Sequence, residues 1–145
     1  MGRIEKEEYI IGSISLLANK FSQFGDGIHK DITSKQWFLL LMMSKMENEE
    51  KTLNSVAEFV GTTRQNVKKM ITQLEEKKYV KVKPSKYDAR AMNITLTKKT
   101  QNYFDKHYPE VSKKTDELFS KISEAKLDSI VKGLAALAEC FDEEE

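Results

Sequence analysis

Between Lys6 and Phe24 apolar residues recur at Ile10, Ile14, Leu17, Phe21 and Phe24, steps of four and three that place them on one face of a helix. Gly25-Asp26-Gly27 reads as the stop of that helix. Thr33-Ser34-Lys35-Gln36 has the form of a capping box, in which the Thr33 hydroxyl accepts from the third amide while Gln36 reaches back. The run Trp37-Phe38-Leu39-Leu40-Leu41-Met42-Met43 is apolar nearly all round and predicts a central, buried second helix, ended by Glu47-Asn48-Glu49-Glu50-Lys51. Leu53, Val56, Ala57 and Val60 line one face of a short third helix that Gly61 closes. Thr62-Thr63-Arg64-Gln65 reads as a second capping box, opening a fourth helix with Val67, Ile71 and Leu74 inward. The opposite face presents Gln65, Lys68, Lys69 and Thr72.

After Tyr79 the period changes. Tyr79-Val80-Lys81-Val82 predicts a short strand, and Ala91 to Leu96 a second, with Met92, Ile94 and Leu96 on one side. The basic loop Lys83 to Arg90 between them is too long for a tight turn. Helix resumes after Thr97 and runs, with a kink expected near Pro109, toward Phe119 and Ile122. Ser123 caps a last helix carrying Leu127, Ile130, Leu134, Leu137 and Phe141. The predicted class is mainly α with a small β-hairpin, in the order four helices, hairpin, two helices.

Charge sharpens this picture. The net +1 conceals a basic middle: residues 51–100 hold 12 Lys/Arg against 4 Asp/Glu, while the segments before and after are acidic by 2 and 5 charges. Such a middle suits a polyanion-binding module within a self-associating frame. Lysine on ordinary helix surfaces would give the same excess, so charge alone does not decide. A short helix, a glycine turn and a second helix with a basic outer face form a helix-turn-helix, whose second helix fits a major groove about 12 Å wide. A hairpin with a basic loop directly after it adds a wing.

Other chemistry is sparse. The chain has no GxSxG, P-loop, HExxH or Rossmann glycine pattern, and is not expected to be an enzyme or to need a cofactor or metal. Asp26, His29 and Asp31 read as solvated turn residues rather than metal ligands. Cys140 is the single cysteine, followed by acids that disfavour a thiolate, and Glu143, Glu144 and Glu145 read as a solubilising tail. No apolar run approaches the ~20 residues of a membrane span, and no signal-peptide stretch opens the chain, so the expected location is cytoplasmic.

The segments Leu53-Asn54-Ser55-Val56-Ala57-Glu58, Arg64-Gln65-Asn66-Val67 and Leu74-Glu75 resemble the multiple-antibiotic-resistance regulator (MarR) family of winged-helix transcription factors. Asp88-Ala89-Arg90 followed by Ala91 to Thr97 fits that family's Asp-x-Arg, short strand, Leu-Thr wing, the most specific part of the likeness. The resemblance covers nearly the whole chain. It implies a single domain over 1–145, with residues 33–97 as a winged helix-turn-helix DNA-binding lobe. Residues 1–32 and 98–145 would be dimerisation helices, the protein being a homodimer on a double-stranded operator. It further implies a sequence-specific regulator, a repressor relieved by a small aromatic or phenolic effector.

The helix from Thr63 to about Lys77 would enter the major groove. Thr63, Arg64, Gln65, Asn66, Lys68, Lys69 and Thr72 are then its DNA-binding candidates. Lys83, Lys86, Asp88 and Arg90 are those of the wing, where a guanidinium oriented by a carboxylate suits a narrow minor groove. An ion pair of purely structural use is the other reading of Asp88 and Arg90. Trp37, Phe38 and Met42 are candidates for an effector pocket, though such a stripe serves equally as plain core. A winged-helix protein-interaction module and a constitutive, ligand-independent DNA binder are the alternative functions. Two positions depart from the family pattern. Lys78 stands where a left-handed glycine is usual, at a cost of about 1 kcal/mol if the geometry is kept. Val82 stands where a basic residue is common, with Lys81 and Lys83 beside it.

Overall fold

The structure, a computed structural model, describes residues 1–142, so the acids Glu143 to Glu145 lie outside the described residues. It contains α1 (Arg3–Ile28), α2 (Ser34–Lys45), α3 (Leu53–Val60), α4 (Arg64–Glu76), β1 (Val80–Pro84), β2 (Met92–Leu96), α5 (Lys98–Phe119) and α6 (Glu124–Asp142). This is the expected element order. Residues 1–106 form one compact unit and residues 107–145 a second. Among the described residues no helix is long and apolar enough to cross a membrane.

The core belongs to the first unit. Leu39, Leu40 and Met43 of α2 pack with Val56 of α3 and Val67, Ile71 and Leu74 of α4. Tyr79 and Val80 at the hairpin entry, Ile94 of β2 and Tyr103 of α5 complete it. Helix α2 is thus central but not buried all round: Phe38 is 46% exposed, and Trp37, Leu41 and Met42 are half-buried. Its start is the predicted capping box, with Thr33 Oγ1 accepting from the Gln36 amide at 3.1 Å and the Thr33 amide donating to Gln36 Oε1 at 3.0 Å. The same Gln36 side chain donates to Gln73 Oε1 at 2.8 Å, tying α2 to α4.

Helix α1 corrects the reading of Gly25-Asp26-Gly27 as a stop, because the helix continues through it to Ile28. A Cβ on Gly25 would lie 2.5 Å from Ser34 Cβ, so this glycine serves the close approach of α1 to the start of α2. The Ser34 amide donates to Asp26 Oδ1 at 2.7 Å and gives the crossing a polar tie.

His29 is likewise not a solvated turn residue, whereas Asp31 is exposed in the bend before α2 as expected. His29 is buried, its Nδ1 lies 2.7 Å from the Tyr103 hydroxyl, and its ring stacks on Trp37 at 4.9 Å between centroids. The Tyr79 hydroxyl donates to the Asp31 carboxylate, while Lys77 Nζ donates to the Asp31 carbonyl. That tyrosine bond holds the Asp31 carboxyl below its ordinary range, and burial with the same bond pushes the Tyr79 phenol upward. Among the described residues no group of His, Cys, Asp and Glu is placed to hold a metal.

The hairpin starts one residue later than expected, because Tyr79 still belongs to the exit of α4. The Tyr79 amide donates to Leu74 O and the Lys78 amide to Glu75 O, both at 2.9 Å. That pair of bonds is a Schellman motif with Lys78 at its left-handed position, φ 66°. Lys78 therefore takes the glycine geometry despite its side chain. Lys78→Gly is expected to stabilise the protein by about 1 kcal/mol, read as a higher urea midpoint at unchanged slope. A lower midpoint would show that the lysine side chain contributes more than its backbone costs.

In the second unit, α5 continues through Pro109, and an amide-to-carbonyl bond from Leu127 to Ser123 at 3.0 Å opens α6 at the expected residue.

Candidate nucleic-acid interface

Helices α3 and α4 meet at Gly61, whose φ of 76° makes the left-handed turn that a side chain would resist. Thr63 caps α4, one residue later than the Thr62 capping box expected from sequence. Its hydroxyl accepts from the Asn66 amide at 3.2 Å, leaving Thr62 Oγ1 to accept from Asn66 Nδ2 at 3.3 Å. The shift moves Gln65 out of any capping role. Val67, Ile71 and Leu74 anchor the inner face as predicted, so Thr63, Arg64, Gln65, Asn66, Lys68, Lys69 and Thr72 are all exposed. Thr72 spends its hydroxyl on the Lys68 carbonyl at 2.8 Å, whereas no ion pair among the described residues engages Arg64, Lys68 or Lys69.

In the wing, Val80 pairs with Leu96, Val82 with Ile94 and Pro84 with Met92. The pleat turns Val82 toward the core and leaves Lys81 and Lys83 exposed, which accounts for an apolar residue at this position. The Lys51 carbonyl accepts from the Ile94 amide at 2.8 Å, and the Lys51 amide donates to Asn93 Oδ1 at 3.1 Å, fastening the hairpin to the loop before α3. At the tip the Arg90 amide donates to Asp88 Oδ1 at 2.9 Å, with Arg90 Nε 3.7 Å from the same oxygen. The Arg90 side chain is 94% exposed, so the pairing orients the guanidinium without hiding it. The ion pair read from the sequence is thus present, and it leaves the guanidinium exposed. Lys86 is exposed alongside them.

Sequence reasoning passed over two residues of this region. Glu50 accepts from Ser85 Oγ and, at 2.8 Å, from the Lys86 amide, while Glu49 accepts from the Tyr87 hydroxyl at 2.6 Å. The bond from Ser85, aided by the Lys86 amide, holds the Glu50 carboxyl below its ordinary range, and the bond to Glu49 pushes the Tyr87 phenol upward. Of the three pocket candidates, Trp37 packs on the core and on His29, Met42 is half-buried and Phe38 faces outward.

Residues 30–91 match the model of the MarR family. No curated protein matches the chain significantly. Among solved structures, a MarR/EmrR-family transcriptional regulator from Acinetobacter sp. ADP1 is 21% identical, with 94% of this chain and 97% of that one covered and a TM-score of 0.78. A MarR transcriptional regulator from Methanosarcina mazei Go1 is 20% identical over 95% of this chain and 99% of that one, at a TM-score of 0.81. The MepR–DNA complex of S. aureus is 20% identical over 88% and 93%, at 0.73. The matched segment runs from the loop before α2 to the end of the wing loop, just short of β2, and the likeness of fold extends over both flanking helical regions. The chain has the winged-helix fold of these MarR-type structures, and its residues 30–91 match the MarR family model.

Proposed function

We propose that this chain binds duplex DNA as a homodimer and represses transcription by occupying a pseudo-palindromic operator. The observation that carries the reading is the conjunction of the exposed face of α4, bearing Gln65, Lys68 and Lys69, with the exposed, carboxylate-oriented Arg90 of the wing. Amide side chains such as Gln65 read base edges in the major groove, and lysines neutralise phosphates. Arg90 enters the minor groove, where the negative potential favours a guanidinium. The MepR relative is a DNA complex, which supports the same use of the fold here. Residues 33–97 act as the DNA-binding lobe and the flanking helices as the dimerisation frame. Relief by a small aromatic or phenolic effector, with Trp37, Phe38 and Met42 beside it, completes the proposal.

The test is selection from a pool of random duplexes of roughly 30 base pairs, room for two half-sites one helical turn apart. Duplexes retained as salt rises are sequenced. An inverted repeat among them is the expected result, and uniform loss at modest salt would leave only nonspecific electrostatics. On the selected duplex, Arg90→Ala is expected to weaken binding to all sequences alike and to reduce the salt slope by about 1. Gln65→Ala is expected to change which sequence is preferred at an unchanged slope. An unaltered slope for Arg90→Ala would remove the wing from the proposal.

A further inference from the structure

The wing would sit against a polyanion, yet the loop that supports it carries three carboxylates, Glu47, Glu49 and Glu50, of which the last two reach the wing. An exposed carboxylate within a Debye length of phosphates, about 8 Å at physiological salt, opposes association. Glu49 and Glu50 nevertheless stand at the root of the wing, in the loop between α2 and α3. Their oxygens are occupied by wing donors at three successive residues: Ser85 through its hydroxyl, Lys86 through its amide and Tyr87 through its phenol. These bonds end one residue before Asp88, whose carboxylate in turn orients Arg90. Within the loop the Ser85 amide donates to Ala91 O and the Ala91 amide to Asp88 O, both at 3.0 Å, and the Ser85 hydroxyl that reaches Glu50 also accepts from the Tyr87 and Asp88 amides at 3.1 and 3.2 Å.

Resting on the DNA-binding reading above, we propose that Glu49 and Glu50 are positioning residues for DNA binding, an acidic clasp that fixes the attitude of the wing. The clasp removes the pivot at the last paired position of the hairpin, Pro84 with Met92, so Arg90 is presented in one direction before DNA arrives. The ordering cost of the wing is then met in the free protein rather than on binding. The bonds are charge-assisted, stronger than their neutral counterparts, which suits a support exposed to solvent.

This assignment predicts a sign opposite to that of simple electrostatics. Removing a carboxylate near DNA would tighten binding if the charge only repelled. If the clasp positions Arg90, Glu50→Ala weakens binding to the selected duplex by about three- to tenfold, the scale of losing preorganised hydrogen bonds. Glu50→Gln, which keeps an acceptor oxygen, recovers most of the loss. In the Arg90→Ala background Glu50→Ala has no further effect, because the residue it positions is gone. Trypsin cleavage after Lys86 and Arg90, followed without DNA, accelerates severalfold in Glu50→Ala and in Glu49→Ala. Tighter binding by Glu50→Ala, or an equal loss in both backgrounds, would overturn the clasp. If the wild-type protein binds no duplex, the DNA reading itself fails. The proteolysis then decides separately whether the carboxylates hold the wing.

Discussion

Leu17→Glu is expected to convert the protein to a monomer and to reduce its affinity for the selected duplex by at least about a hundredfold. The stripe Ile10, Ile14, Leu17 and Phe21 repeats in steps of four, three and four along α1, the spacing of a helix seam built to face another helix. All four are exposed in the single chain, while the same stripe ends at Ile28, which is buried. One face of α1 thus does two jobs, intramolecular at its C-terminal end and available to a second copy over the rest. In α6, Ile130, Val131 and Leu134 are exposed in the same way.

A two-fold dimer would place Leu17 and its symmetry mate in one interface, so the substitution introduces two carboxylates at once. Burying each without a partner costs several kcal/mol, more than one apolar contact contributes. A monomer loses the second half-site, and with it the effective concentration that multiplies affinity by roughly 10² to 10⁴. Sedimentation velocity reads the mass, and anisotropy of the labelled duplex reads the affinity and the salt slope. A dimeric Leu17→Glu protein with unchanged affinity would remove α1 from the interface.

Periodicity made the lobe legible. The inward faces of α3 and α4, the αL glycine at Gly61 and the alternation of β2 all follow from local rules, because each element satisfies its own backbone and buries its own stripe. What escaped are features set by tertiary neighbours. His29 and Asp31 look like free turn residues in sequence, and only the arrival of Tyr103 and Tyr79, 74 and 48 residues further on, buries the first and gives the exposed second a hydroxyl partner. Glu49 and Glu50 look like a solvated helix end, because their donors lie more than 30 residues away in the wing. Lys78 is the reverse case. The departure from glycine was visible, and the structure keeps the left-handed backbone because Leu74 O, Glu75 O and the hydroxyl of Thr97, donating to the Lys78 carbonyl at 2.7 Å, hold that geometry.

Gly25 and Gly27 put the same lesson to a quantitative test, since sequence treats them alike and the structure does not. Both lie within α1, where replacing glycine by alanine gains helix propensity of up to about 1 kcal/mol. At Gly27 a new Cβ meets nothing within 4 Å, so Gly27→Ala is expected to stabilise the protein by a few tenths to 1 kcal/mol. At Gly25 the new Cβ would lie 2.5 Å from Ser34 Cβ and 3.1 Å from Ser34 Oγ, well inside contact distance. Ser34 is buried and its amide is held by Asp26, so it cannot swing aside without loosening that bond. Overpacking of this kind costs typically about 1–3 kcal/mol, which outweighs the propensity gain. Gly25→Ala is therefore expected to lower stability by about 1–2 kcal/mol net of that gain, the opposite sign to its neighbour two residues on. Urea midpoints of the two variants measure the difference directly. Two increases would mean that α1 and α2 can separate freely at their crossing. A decrease confined to Gly25→Ala would establish that crossing as a fixed joint between the long N-terminal helix and α2.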